Sequence, residues 1–482
     1  VSNNRRRDDL VRLCCWTGNG MISSKLLLGA AGNAGGDPSW IFRYDASFTN
    51  TYGYLSGVRS GDGTDDGNLF WVCGGADTSS DGAIIVKMNK DGDLLLDKRI
   101  NNSSVQTFRP YLKVDSSDNV FFSSNIGGQY NLIVKLNSSL AVQSQQRYAA
   151  QYASSQSAMT IYNDDIYIAS THNDFYPSAR PLGYIVDGSN MKVSGTPYSF
   201  LGIDGQPQRC VHVDGSGNIY VTNDARDSGG GDTPFIAKWG TNWSSETWVR
   251  KFTGLGTSVT GAGQALSVDS SGNVYNCGSL NIAYPNYRDN YVAKFNSSGT
   301  VQWMKSLNMP NGDANTNIID GVGLYAIQHT SQGIVTLSYG QSNVQSAKFD
   351  INVSLWNTSN GSLISSYGVA NTSSGWRTDL QCSRYDTQTL ITEDNVYIAA
   401  QDASQRFYIM KLPITDASSI YGTYNVNGQN VKIAANGFQD TDVSNTTWSS
   451  ASFGNTSRTI TKTSQSGYGI SDVSVTPTLV EI

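Results

Sequence analysis

VDSSGNVYNCG, residues Val268–Gly278, places a polar turn between two apolar stretches. Two near-copies occur earlier in the chain, VDGSGNIYVTN at Val213–Asn223 and VDSSDNVFFSS at Val114–Ser124. The aspartate of such a turn can accept hydrogen bonds from the backbone two residues on, glycine permits a positive φ, and asparagine tolerates a left-handed conformation. The repeated phrase therefore predicts a structural unit in which one tight turn joins two β-strands.

A second phrase, an apolar run that ends in a cation and one more apolar residue, sets the period of the unit. IIVKM, FIAKW and YVAKF are examples, and WIFRY and GYIVD are looser members. These phrases are anchored at Arg43, Lys87, Lys135, Asp187, Lys238, Lys294, Lys348 and Lys411. Successive anchors are 44 to 63 residues apart, which indicates eight copies of one unit. The lysines are predicted to extend to solvent or to neutralise a turn aspartate.

Each unit is predicted to contain four antiparallel strands, because its short runs are alternating, β-branched and separated by Gly, Asn and Asp turns. Four strands in about fifty residues are the signature of a β-propeller blade, and stacking blades around an axis buries faces that one blade leaves exposed. The sequence thus predicts an all-β fold, a β-propeller of eight four-stranded blades. The number becomes seven if the first unit, Leu26–Tyr54, is not a full member.

The two ends of the chain do not fit the repeat. Residues 1–21 are predicted to form an N-terminal arm, and residues 22–432 the propeller. Residues 433–482 are rich in Ser and Thr with short alternating stretches, and two roles stay open for them. They either supply a strand that closes the ring or form a small β segment that attaches to other subunits by strand addition.

Composition excludes several classes of function. The net charge is −6, and the only basic cluster, Arg5–Arg7, is followed at once by Asp8 and Asp9, so we expect no nucleic-acid binding. No run of eighteen apolar residues occurs, so no membrane span is predicted. The six cysteines lie in strand-like contexts or in the N-terminal arm and are predicted to be free thiols. The Asp-x-Ser-x-Asn turns could be calcium loops, but turn chemistry already accounts for them, and we predict no metal and no cofactor.

Variation concentrates at one end of the predicted blades. The connections Thr171–Leu182, Asn223–Pro234 and Leu280–Asn290 are long, whereas the turns at the opposite end are short and uniform. Variable loops on a rigid scaffold commonly carry recognition, and aromatic and arginine side chains suit sugar rings and protein partners. The predicted binding residues are Phe175, Tyr176, Arg180, Tyr284, Tyr287, Arg288, Trp376 and Arg377.

Catalytic motifs are missing from the sequence. The three histidines, His172, His212 and His329, lie in different blades, and none belongs to a His-Glu-x-x-His motif. No Gly-x-Ser-x-Gly motif or phosphate-binding loop occurs either. We therefore expect a protein that is not an enzyme.

Two resemblances extend this interpretation. The alternation of VDSSGNVYNCG with YVAKFNSSGTVQW resembles the β-propeller repeats of bacterial secreted and surface proteins, over residues 22–425. That resemblance implies a fold and little chemistry. The tail, with its Asn, Ser and Thr and its terminal TPTLVEI, resembles the ends of structural proteins of tailed bacteriophages, notably marine ones. This second resemblance implies a virion component.

The sequence therefore predicts a non-enzymatic phage structural protein, displayed on the tail or adsorption apparatus within a larger assembly. Its expected partners are other virion proteins and a host-surface glycan or receptor. A capsid decoration protein is an alternative, as is a scaffold with no ligand. A propeller secreted from the cell that binds or cleaves polysaccharide is a further alternative.

Overall fold

The computed structural model describes most of the predicted repeat region and parts of the tail. The described residues are 39–44, 54–59, 67–74, 83–101, 107–126, 130–149, 157–175, 178–201, 204–205, 210–226, 232–243, 245–253, 261–283, 287–308, 323–339, 351–373, 390–402, 406–415, 417–436, 439–442, 447–451, 454–457, 461–464, 469–472 and 478–481. Within them the only helical element is a 3-10 turn, Ala417–Ile420, and no helix could cross a membrane.

The described strands form seven antiparallel sheets, which are the blades of a β-propeller. The inner strands of neighbouring blades touch one another around the centre of the ring. The strands of each blade, from the inner to the outer, are: blade 1, Tyr54–Arg59, Leu69–Gly74, Ala83–Met88 and Leu94–Asn101; blade 2, Thr107–Val114, Val120–Ile126, Tyr130–Leu136 and Val142–Ala149; blade 3, Ser157–Tyr162, Asp165–Phe175, Ser178–Val186 and Val193–Leu201; blade 4, Asp204–Gly205 with Cys210–Val213, Ile219–Arg226, Asp232–Trp239 and Glu246–Thr253; blade 5, Gly261–Val268, Val274–Ala283, Tyr287–Phe295 and Val301–Asn308; blade 6, Gly323–Thr330, Gly333–Tyr339, Ile351–Trp356 and Leu363–Asn371; blade 7, Leu390–Ile391, Asn395–Gln401, Phe407–Pro413 and Trp40–Tyr44.

The all-β propeller is confirmed, and of the two ring sizes it is seven that the structure shows. The anchor Arg43 does not belong to a blade of its own. It lies in Trp40–Tyr44, which is the outer strand of blade 7 and pairs with Phe407–Pro413. An isolated apolar run such as WIFRY fits either the third strand or the outer strand of a blade. Because it was counted as a third strand, the prediction of eight blades contained one blade too many. The anchor at Lys348 was also misplaced. The third strand of blade 6 is Ile351–Trp356, and Lys348 lies outside the described residues.

The tail supplies one further strand to the outer edge of every blade. We call residues 429–482 the belt. Its strands follow the ring in the reverse of chain order: Gln429–Ala435 on blade 6, Gln439–Asp442 on blade 5, Thr447–Ala451 on blade 4, Gly454–Ser457 on blade 3, Thr461–Ser464 on blade 2, Gly469–Asp472 on blade 1 and Thr478–Glu481 on blade 7. The belt begins from a hairpin with the strand Gly422–Val426.

The hydrophobic core lies between the blades rather than within them. The largest cluster joins Phe121 of blade 2 to Ile168 and Tyr184 of blade 3 and to Val221 of blade 4. Each of these side chains is at most 1% exposed. A blade is therefore stable because its two faces are covered by its neighbours, which is the physical reason that the ring must be complete.

Side-chain hydrogen bonds also cross from blade to blade. In six of the seven junctions, a side chain of one blade donates to a carbonyl at the end of the next blade's third strand or in the turn that follows it. Lys135 Nζ donates to Gly188 O at 2.7 Å, and Trp248 Nε1 donates to Ser297 O at 3.0 Å. We call these contacts the inter-blade clasps.

The recurrent lysines belong to the clasps. Lys87, Lys135 and Lys294 donate to carbonyls of the following blade. The ammonium groups of these three lysines and of Lys238 also lie 5.2–5.5 Å from the centre of an aromatic ring on the neighbouring second strand. The rings are Phe70, Phe121, Tyr220 and Tyr275. The sequence predicted a looser role for the lysines. In the structure, the ammonium groups of Lys87, Lys135 and Lys294 each join a ring in their own blade to the backbone of the next blade.

Two glycines, one facing a clasp and one facing open space, allow the effect of overpacking at a clasp on the free energy of unfolding to be measured. Gly299 and Gly195 both have a positive φ, of 77° and 71°. A Cβ on Gly299 would lie 2.7 Å from the Trp248 ring, whereas a Cβ on Gly195 would have no neighbour within 4 Å. We expect Gly195→Ala to lower the free energy of unfolding by about 1 kcal/mol, the strain of a left-handed alanine. Gly299→Ala should lower it by about 2–4 kcal/mol, because overpacking adds to that strain.

Guanidinium denaturation followed by circular dichroism gives both free energies of unfolding. Equal losses for the two variants would show that the Trp248 contact does not hold blades 4 and 5 together.

Candidate functional site

The ring has two ends of different construction. At one end, which we call the turn face, lie the turns between first and second strands and between third and fourth strands. The opposite end, the arm face, carries the connections between second and third strands and the links from blade to blade.

The turns between first and second strands are closed by their own side chains. In blade 5, Asp269 Oδ1 accepts hydrogen bonds from the backbone N–H groups of Ser271 and Asn273, both at 2.9 Å. Asp269 Oδ2 accepts from Asn273 Nδ2 at 2.9 Å and from the Tyr275 hydroxyl at 3.0 Å. Asp214 in blade 4 makes the same four hydrogen bonds with its equivalent neighbours. The predicted turn chemistry is confirmed.

These hydrogen bonds also account for the turn residues without a calcium ion. An ionised carboxylate has about four acceptor positions, and Asp269 uses four of them for donors within its own turn. A calcium ion would have to displace these donors. Among the described residues, no group of three or more His, Cys, Asp or Glu side chains is placed to hold a metal. The turn residues therefore serve the fold.

Burial and hydrogen bonding act on these aspartates in opposite directions. Partial burial raises the pKa of Asp269, and the hydrogen bonds from Asn273, Tyr275 and Ser271 lower it by more, so the pKa lies below its ordinary value. The pKa of Asp214 is lowered in the same way. Each carboxylate is thus held in its ionised form by the turn it closes.

In blades 1, 2, 5 and 6 the turn between the third and fourth strands is closed in a similar manner by an asparagine. Asn296 Oδ1 accepts from the backbone of Ser298 at 3.2 Å and of Thr300 at 2.8 Å. A shallow depression of about 550 Å³ lies beside this turn, lined by Trp248 and Arg250 among others. Its polar groups are already used, because the Arg250 guanidinium donates to Gly299 O and Ser298 O. In the described part of the turn face, the aspartate and asparagine side chains of the turns and the Arg250 guanidinium are therefore bonded within the ring.

The arm face carries three projecting β-hairpins on adjacent blades. The sequence predicted irregular loops here, but the second and third strands of blades 3, 4 and 5 stay paired almost to their tips. His172 pairs with Arg180 in blade 3, and Arg226 pairs with Asp232 in blade 4. In blade 5, Asn281 pairs with Arg288. We call the segments 170–182, 223–235 and 279–290 the hairpin arms.

A network of buried polar side chains supports the bases of the arms. Asn131 of blade 2 donates to the Ser170 hydroxyl at 3.1 Å and to the Tyr184 hydroxyl at 3.0 Å, both in blade 3. Asn276 of blade 5 donates to Thr222 Oγ1 of blade 4 at 3.0 Å. All of these residues are at most 2% exposed. Because buried polar groups are costly unless paired, these hydrogen bonds hold the base of the blade 3 arm against blade 2 and the bases of the blade 4 and blade 5 arms against each other.

Sequence reasoning missed these supporting residues. The available signal was the polar residue inside an otherwise apolar strand, as Asn131 in YNLIVKL and Asn276 in VYNCG. Burial raises the pKa of the Tyr184 phenol, so this hydroxyl stays protonated and can act as both donor and acceptor in the network.

The predicted binding residues fall into two groups. Phe175 and Arg180 lie on the arm of blade 3, and Tyr287 and Arg288 lie on the arm of blade 5. These two arms are brought to the same face with the arm of blade 4 between them. The other four predicted residues lie outside the described part of the chain: Tyr176, Tyr284, Trp376 and Arg377.

The histidines lie on three different blades. His212, on the inner strand of blade 4, is packed 6.5 Å from the Tyr220 ring. Burial, and next the charge of Lys113, lower the pKa of His212 to about 4, so the ring is neutral near pH 7. His329 of blade 6 stacks on Tyr275 of blade 5 with ring centres 5.2 Å apart. Both rings therefore contribute packing, as the sequence predicted for His212.

Comparison with known proteins identifies likenesses of fold. No protein-family model and no curated protein sequence matches the chain. Drosophila Plexin A, solved in complex with Semaphorin 1b, has 10% identity and a TM-score of 0.40 over 76% of this chain and 86% of that one. An exo-β-1,3-galactanase from Clostridium thermocellum has 10% identity and a TM-score of 0.32 over 86% of this chain and 99% of that one.

Synechocystis apocarotenoid oxygenase is also similar, with 12% identity and a TM-score of 0.35 over 57% of this chain. The chain spans 58% and 63% of the length of two structures of that enzyme. At such identities the likeness concerns the fold alone, and no activity is carried over from these proteins.

The turn aspartates predict how stability depends on pH. The folded-state pKa values of Asp214 and Asp269 lie below their ordinary value. Their contribution to the free energy of unfolding is therefore present above about pH 4 and is lost as the pH falls through the folded-state pKa values. We expect the denaturation midpoint to fall with acidification in that window. Asp269→Asn should lower the midpoint at pH 7 and reduce the further loss on acidification, because the amide NH2 group in the place of Oδ2 cannot accept from Asn273 Nδ2 and Tyr275.

Asp91→Asn, in an outer turn of blade 1, is the control for loss of one negative charge. The same titration with added calcium or with a chelator should give the same midpoints. A midpoint that rises with calcium in the parent chain and not in Asp269→Asn would contradict the structural interpretation of the turn.

Proposed function

We propose that this chain is a non-enzymatic structural and recognition protein of a bacteriophage particle, displayed on the tail or adsorption apparatus. Its hairpin arms would bind a host-surface glycan or a neighbouring virion subunit. The observation that carries the proposal is the asymmetry between the two faces. In the described turns of the turn face, the aspartate and asparagine side chains are used within the ring, whereas the arm face projects three paired hairpins that the fold of the blades does not require.

The chemistry of the arms supports glycan or protein recognition. Phe175 and Arg180 on one arm, with Tyr287 and Arg288 on another, combine aromatic rings with planar guanidinium groups. Aromatic rings stack on the apolar faces of sugars, and guanidinium groups hydrogen-bond to hydroxyl and carboxylate oxygens. Arms with paired backbones lose less entropy on binding than free loops, which favours specific recognition.

Features of the whole chain support the virion part of the proposal. The charge is low for the length of the chain, with 15% charged residues and a net charge of −6. The tail resembles the ends of tailed-phage structural proteins. The belt supplies the outer strand of six blades, and these strands are only four or five residues long, so the wall of the ring presents short edges that are poor templates for pairing with other sheets.

Replacement of arm arginines tests the recognition surface. We expect Arg180→Ala and Arg288→Ala each to weaken adsorption to host cells, or binding to an array of bacterial surface polysaccharides, by about tenfold, the loss of one well-placed charged hydrogen bond. Lys192→Ala, on the exposed turn face of blade 3, removes the same charge and should leave binding unchanged. All three variants should keep the parental denaturation midpoint. If Lys192→Ala weakens binding as much as the arm variants, the assignment of the arm face is wrong.

A density gradient tests the location. Particles from the source are banded, and the fractions are searched for this chain by peptide mass spectrometry. Co-banding at a fixed ratio to the major capsid protein is the expected result. Presence in the free protein fraction alone would contradict the virion role and favour a secreted polysaccharide-binding propeller, and turnover of a polysaccharide by the purified chain would contradict the non-enzymatic assignment.

A further inference from the structure

Both ends of the described chain meet in blade 7. The strand Trp40–Tyr44 pairs on one side with Phe407–Pro413 and on the other with Thr478–Glu481. In register, Phe42 lies opposite Ile409 on the inner side and opposite Leu479 on the outer side. The strand that closes the ring is thus held between the last complete part of the ring and the last strand of the belt.

The start of the belt is tied to the same strand. Arg43 is 5% exposed, and its Nη1 donates to Val426 O at 3.1 Å and to Asn427 O at 2.6 Å. These carbonyls belong to the turn between Gly422–Val426 and Gln429–Ala435, where the belt begins. One five-residue strand therefore contacts the first hairpin and the last strand of the belt, and the belt encircles the ring between these contacts.

Short connections join the strands of the belt. The segments between consecutive belt strands contain two to five residues. A chain spans at most about 3.3–3.6 Å per residue, so five residues reach less than about 22 Å between their flanking strands. A belt strand in the middle of the series is consequently kept near its blade by engaged neighbours on both sides, whereas Thr478–Glu481, the last described strand, has a described belt neighbour on one side only.

We propose that the belt is a kinetic lock on ring opening, with Thr478–Glu481 as its latch. Opening the ring at blade 7 requires Trp40–Tyr44 to leave Phe407–Pro413. The latch strand must then either separate from Trp40–Tyr44 or leave its place together with that strand. The whole belt follows the blades in the chain, and each of its strands pairs with the outer strand of one blade, so a belt strand adds to a blade that has already formed. The belt therefore lowers mainly the unfolding rate. It stabilises the closed ring but not the transition state in which the ring first forms.

Two matched proline substitutions in the full-length chain test the lock. Leu479→Pro changes the second residue of the latch strand, and Asn455→Pro changes the second residue of Gly454–Ser457 in the middle of the belt. Each proline removes a backbone donor from a four-residue strand. Unfolding rates are measured by guanidinium jump with tryptophan fluorescence, and hydrogen–deuterium exchange is read at residues 40–44 and 407–413.

The lock predicts that Leu479→Pro raises the unfolding rate by about tenfold or more and speeds exchange at residues 40–44, while Asn455→Pro changes both by less than about threefold. A chain that ends at Val473 should reproduce Leu479→Pro, and further shortening to Gln465 should add little. Equal effects of the two prolines, or equal steps for the two truncations, would mean independent edge strands and overturn the latch. Parental unfolding rates in all of these variants would overturn the lock itself.

Discussion

The pairing of Trp40–Tyr44 with Phe407–Pro413 is the contact on which the rest of the molecule depends. A blade has two apolar faces, and each face is buried only by another blade. If this strand left blade 7, the ring would open at the junction where Trp40 Nε1 donates to Lys90 O of blade 1. Every side chain of Trp40–Tyr44 is buried, which shows how completely the rest of the ring encloses this junction.

The clasps and the turn aspartates explain why the same phrases recur along the sequence. The third-strand lysine is repeated because it meets a ring in its own blade and, where its hydrogen bond is described, a carbonyl of the next blade. The Asp-x-Ser-Gly-Asn turn is repeated because its carboxylate closes the turn with four hydrogen bonds. Both devices use up polar groups at the turn face. Variation is therefore free to accumulate at the arm face, where the hairpin arms of blades 3 to 5 project.

The features that could be predicted from the sequence are those set by neighbouring residues. Asp269 and its turn were predictable because every partner lies within six residues. The ring size was not, because WIFRY carries no mark of a partner more than 360 residues away. The belt strands are mostly four or five residues long and polar, and their pairing is decided by the finished ring. The arms contain Pro, Gly and Asn typical of loops, yet a neighbouring strand keeps them paired. All eight predicted binding residues stay predictions, and four of them, Trp376 among them, lie outside the described residues.

The central claim is that the hairpin arms bind the ligand while the turns of the opposite face serve the fold. A hydrogen–deuterium exchange footprint tests this claim most directly. The purified chain is compared free and bound to the surface polysaccharide or particle fraction that retains it. The account predicts slower exchange in the bound state for peptides covering residues 170–182, 223–235 and 279–290, with unchanged exchange at the outer turns 137–141 and 296–300. Slower exchange at those turns, with the hairpin arms unaffected, would contradict it.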